Sequence, residues 1–142
     1  MIDPSHFHPM LVHFPIALII AGFLFDLVAV FIKKEPCLSK TGYWLMILGM
    51  AGTVAAFGSG YFFTGPMDGE AGLMRDKHQF YATVTLVLII LATLFRIVTG
   101  YLGREGPKMK YVALGLYFLS VVYVSITGYL GGTLVIEYMI GL

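Results

Sequence analysis

The feature that most constrains this chain is a set of four long apolar runs parted by short polar stretches. The runs cover about Pro9–Ile32, Tyr43–Phe63, Phe80–Tyr101 and Tyr111–Leu130. Each approaches the roughly 20 residues with which a helix crosses a hydrocarbon core. None alternates polar and apolar residues as a barrel strand does. Backbone groups in lipid must bond within their own segment, so helices follow. The connections are short, which makes successive helices antiparallel neighbours. The expected fold is all-α: a four-transmembrane-helix antiparallel bundle forming a single domain over residues 1–142.

Composition agrees. Of 142 residues, 58% are hydrophobic and 12% charged, against about 25% charged in soluble domains. A net charge of +1 argues against a nucleic-acid partner. The single Cys37 cannot close an intramolecular disulfide. The first run lacks a basic leader and a small-residue cleavage site, so it reads as an uncleaved anchor. Tyr43, Trp44, Tyr61, Tyr81, Tyr101, Tyr111 and Tyr129 sit at run ends, where interfacial aromatic belts lie.

Lysine and arginine give an expected orientation. Lys33, Lys34 and Lys40 occupy the first connection, and Arg104, Lys108 and Lys110 the third. The second, Thr64–Gln79, mixes Arg75 and Lys77 with Asp68, Glu70 and Asp76. The positive-inside rule puts the first and third connections in the cytoplasm and both termini outside.

Small residues line parts of the second and fourth runs, including Gly52, Ala56, Gly60, Gly115, Ser120 and Gly128. Such faces let helices approach closely. They read as packing within the chain, with a homodimer seam as the other reading. Gly58-Ser59-Gly60 and Gly131-Gly132 read as helix terminations.

Two charges interrupt the runs. Asp26 lies late in the first and Arg96 late in the third, at similar depth. Pairing inside the bundle lowers the cost of each, so a structural ion pair is expected. A proton-path role for Asp26 and snorkelling of Arg96 are the other readings.

The histidines carry the chemistry. His6, His8, His13 and His78 all fall on the same side of the predicted bundle. His13 lies about one turn inside the first run, and His78 opens the third. These two helices are diagonal, so their side chains can meet where bundles hold cofactors and metals. His13 and His78 are therefore the expected cofactor ligands, for a b-type haem, or for zinc or copper with His8 as a further metal ligand. A hydrogen-bonded structural pair and a proton- or quinone-handling site are the competing readings. His8 and His13 are five residues apart, about 140° around a helix. They could converge only if Pro9 or Pro15 distorted it. His6 and His8 read as exposed interfacial residues. There is no CxxCH motif for covalent haem and no HExxH zinc motif.

The run His8-Pro9-Met10-Leu11-Val12-His13-Phe14-Pro15-Ile16-Ala17-Leu18 resembles the opening of a bacterial membrane-protein family of unknown function, family 2231 of its kind. The resemblance extends through Asp26 and His78 to the ending Gly131-Gly132-Thr133-Leu134-Val135-Ile136 and Ile140-Gly141-Leu142. Ile136 stands where the family has Tyr, and Met139 where a His is common. The resemblance implies a four-helix membrane domain and no established activity. Relatives resemble partners of respiratory or haem-containing proteins.

These observations point to a multi-pass protein of the bacterial inner membrane that binds haem b or another metal near its outer face. Its role would be electron transfer, alone or in a larger membrane redox complex. The alternative is a structural or assembly subunit without cofactor. No nucleophile–base set is visible, which disfavours an enzyme. No inverted repeat or broken helix is visible, which disfavours a transporter. The tail from Gly131 onward, including Leu134, Val135 and Ile140, is expected to fold back as an interfacial segment over the histidines.

Overall fold

A computed structural model describes residues 7–32, 36–104 and 106–139. Four helices make up the described chain: α1 (Phe7–Phe31), α2 (Pro36–Phe63), α3 (Gly69–Tyr101) and α4 (Pro107–Thr133). All four are long and apolar enough to cross a membrane. α1 packs mainly on α2 and α3 on α4, and contacts of α1 with α4 and α2 with α3 close the bundle. α1 and α3 are thus diagonal.

Helix ends follow local chemistry. Pro36 and Pro107 stand at the starts of α2 and α4, where a missing N–H costs nothing. Gly103, at φ 62°, ends α3 in a left-handed turn. Its N–H donates to the Gly100 carbonyl at 3.1 Å, and the Arg104 N–H to that of Thr99 at 2.9 Å. Those two bonds form a Schellman motif. α3 begins at Gly69, well before its apolar run, because Glu70, Ala71, Leu73, Met74, Arg75 and Lys77 favour helix. Hydropathy marks what lies in hydrocarbon, and the helix outruns it.

Two expectations are corrected. Gly58-Ser59-Gly60 and Gly131-Gly132 lie in the closing turns of α2 and α4 but are themselves helical and do not terminate them. Gly60 and Gly131 are where histidine rings rest, as described below. Through Met139 the tail does not fold back: α4 runs on into a π-helical segment, Leu134–Met139. The backbone of Leu134 stays right-handed, at φ −57° and ψ −44°, so nothing turns the chain. Leu134 and Val135 nevertheless reach the histidine end. Ile140 lies outside the described residues.

The core joins Ile19, Phe23, Met46, Ile89, Ala92, Tyr117 and Val124. Phe23 and Tyr117 meet edge-on with ring centres 5.8 Å apart. Buried hydroxyls bond back to their own helices: Thr53 donates to the Gly49 carbonyl, Thr93 to Ile89 and Ser120 to Leu116. Each of these three hydroxyls thereby has a partner in the apolar interior.

The two hairpins are a repeat. Adding 70 to the buried positions of α1 (Pro15, Ile19, Gly22, Phe23) gives those of α3 (Thr85, Ile89, Ala92, Thr93). The same step takes His8 to His78 and Asp26 to Arg96, and Leu18-Ile19-Ile20 to Leu88-Ile89-Ile90. A step of 71 takes Met46, Gly49 and Thr53 of α2 to Tyr117, Ser120 and Val124 of α4, all buried. Both copies run in the same direction, so the repeat is parallel, about an axis along the bundle. Residues at matched positions of α1 and α3 face each other across that axis.

Candidate functional site

The stripe of α1 that faces the core carries a histidine at one end and a charge at the other. His8 and Asp26 are 18 residues apart, and so are His78 and Arg96. Eighteen residues are five full turns of an α-helix, or about 27 Å. Each pair therefore shares one face of its helix. The bundle joins two levels: histidine to histidine at one end, Asp to Arg at the other.

At the histidine end, the rings of His8 and His78 lie with centres 6.4 Å apart and planes 80° apart. Each is anchored by the other helix of its own hairpin. His8 Nδ1 is 2.8 Å from Ser59 Oγ. That hydroxyl already donates its hydrogen to the Ala56 carbonyl at 2.8 Å, so it accepts from His8 Nδ1–H. His78 Nδ1 lies 3.1 Å from the Thr127 carbonyl oxygen, which can only accept. Both neutral imidazoles therefore carry their proton on Nδ1 and leave Nε2 with a free lone pair.

Glycines give the rings room. A Cβ on Gly60 would sit 3.0 Å from His8 Cε1, and one on Gly131 3.1 Å from His78 Cε1. Gly60 and Gly131 are again 71 residues apart, so the two halves cradle their histidines alike. The rings border a cavity of about 120 Å³ shared with Phe57, Tyr61, Arg75 and Leu134. That volume suits an ion with several waters. It falls well short of the roughly 300–1,000 Å³ of sites for drug-sized ligands. A porphyrin would require the hairpins to part.

His13 does not join this site. It is exposed, and its Nδ1 donates to the Pro9 carbonyl one turn back at 2.8 Å. The expected His13–His78 pair is thus replaced by His8–His78. The cause is phase: helix α1 already begins at Phe7, His8 shares the stripe of Pro15, Gly22 and Asp26, and His13 points some 140° away. His6 lies outside the described residues. Among the described residues, no three His, Cys, Asp or Glu side chains cluster as a metal site. The 18-residue spacing from His8 to Asp26 was the sequence signal for the true pair, and Ser59, Thr127, Gly60 and Gly131 had none.

At the other end, the Arg96 guanidinium forms a two-pronged ion pair with Asp26, one prong at 2.9 Å. It also donates to the Ser39 carbonyl at 3.0 Å and lies over the Tyr43 ring, 5.3 Å from its centre. The side chains are 16% and 9% exposed, so Arg96 does not snorkel. Bidentate geometry with a further acceptor is what a buried guanidinium requires. The repeat explains the charges. Identical residues at this level would repel, and Asp in one copy with Arg in the other binds the halves together.

No curated protein and no solved structure matches the chain. A family model described as predicted membrane protein, DUF2231, matches residues 4–142. With four apolar helices and a match over nearly its whole length, the chain is an integral membrane protein belonging to that family.

Proposed function

We propose that this membrane protein binds one transition-metal ion between its two halves, through Nε2 of His8 and Nε2 of His78. The observation that carries the reading is the matched anchoring of the two rings. Metal-bound histidines characteristically donate their other N–H to a carbonyl or similar acceptor, which fixes tautomer and orientation. Here both rings do so before any ion arrives. Two equal Lewis bases facing each other across an axis also suit one shared cation. Copper and zinc are the natural candidates, because imidazole serves both. Iron held by haem b needs the wider opening noted above. A bound copper ion would make the protein an electron carrier, alone or as a subunit of a membrane redox complex.

A second reading has its own support. Both Nδ1 atoms are already satisfied, and no third His, Cys, Asp or Glu clusters with the pair among the described residues. The pair would then only hold the hairpins together in a structural or assembly subunit. Titrating the purified, chelator-treated protein with Cu(I) and with Zn(II) separates the two. The metal reading expects one ion per chain and no Soret band. A Soret band would move the assignment to haem, and absence of binding would leave the structural pair.

We further propose that the histidine end faces outward across the bacterial inner membrane, on the positive-inside count. Cys37, the sole cysteine, is exposed at the opposite end. A membrane-impermeant maleimide should therefore label it in inverted vesicles and not in intact spheroplasts. Labelling in intact spheroplasts would reverse the orientation.

A further inference from the structure

The ion-pair end holds a second, larger cavity. It is a cleft of about 990 Å³ bordered by residues of all four helices, among them Asp26, Lys40, Arg96, Lys110 and Tyr117. Asp26 and Arg96 neutralise each other there. Lys40 and Lys110 make no ion pair among the described residues, and they give the lining two basic side chains. Apolar side chains such as Val30, Ile97 and Leu114 form the remaining wall. One buried group in that wall is unsatisfied. Tyr117 is 1% exposed, and its hydroxyl, packed against Gly22, has no hydrogen-bond partner among the described residues.

We propose that this cleft binds an anionic phospholipid. Its phosphate lies against Lys40 and Lys110, and its acyl chains follow the apolar wall. The chemistry of the place selects this occupant. The cleft lies where the spanning helices end, at headgroup depth, and Tyr43, Tyr101 and Tyr111 border it as interfacial aromatics do. Basic pockets between spanning helices attract anionic headgroups. The cleft is about five helical turns from the histidines, so this inference stands or falls independently of the metal site.

The test is native mass spectrometry of the full chain in detergent, with phosphatidylglycerol and phosphatidylcholine as probes and inorganic phosphate as competitor. Phosphatidylglycerol should be retained in preference to phosphatidylcholine. The double variant Lys40→Gln, Lys110→Gln should lose about thirtyfold in phosphatidylglycerol affinity, while Lys77→Gln at the histidine end loses none. Equal retention of the two lipids would overturn the proposal, as would unchanged binding in the double lysine variant. Displacement of the lipid by millimolar inorganic phosphate would assign the lysines to a free anion and overturn the lipid.

Discussion

Replacing Asp26 by alanine should cost about 3–5 kcal/mol of stability, because Arg96 would be left as a buried charge without its partner. Arg96→Ala should cost a similar amount, by stranding the Asp26 carboxylate. The double variant Asp26→Leu, Arg96→Leu should recover most of that loss. It removes both charges together, and a well-packed apolar pair often matches or exceeds a buried ion pair. The measurement is a double-mutant cycle from unfolding of the detergent-solubilised protein. Strictly additive losses would mean that the two residues act separately. The repeat sharpens the expectation: this is the level where its halves differ in charge, so it is where their union is most exposed to mutation.

The ion pair was also the most legible part of the interior. Asp26 and Arg96 stand at equal depth in diagonal helices, and depth follows from counting residues. The four spans were legible for the same reason, since hydrocarbon thickness fixes their length. Rotation about the helix axis is harder to read, because α1 is apolar almost all round and gives no stripe to phase against. His13 therefore looked the better ligand, being deeper in the apolar run, whereas His8 looked like part of the lead-in. The decisive clue was the five-turn spacing shared by His8–Asp26 and His78–Arg96, and it becomes visible once the repeat is recognised. The glycines misled for a related reason. Gly60 and Gly131 break helices in water, but in these helices each makes space for an imidazole from its neighbour.

Those two glycines carry the second large expectation. Gly60→Val and Gly131→Val each place a side chain where a histidine ring now lies, within about a van der Waals contact of Cε1. Losing the position of a ligand's supporting contacts typically costs 10–100-fold in metal affinity, and each variant should show a loss of that order. Gly58→Val and Gly132→Val are the controls, because a Cβ at either position meets nothing within 4 Å. They should bind metal as the wild type does. Competition against a chromogenic chelator gives all four affinities in one format. Equal affinity in every variant would mean that the rings do not depend on the glycine floor. A loss at Gly60 alone would mean that the two halves do not share the ion.

The most direct measurement is the metal content of purified wild type and of three histidine variants after loading with Cu(I) or Zn(II). The two-histidine site predicts one ion per chain in the wild type and in His13→Ala. It predicts none in His8→Ala or His78→Ala, with both still folded by circular dichroism. Retention of the ion in His8→Ala together with its loss in His13→Ala would contradict the His8–His78 assignment, and a wild type that takes up no metal would contradict the site altogether.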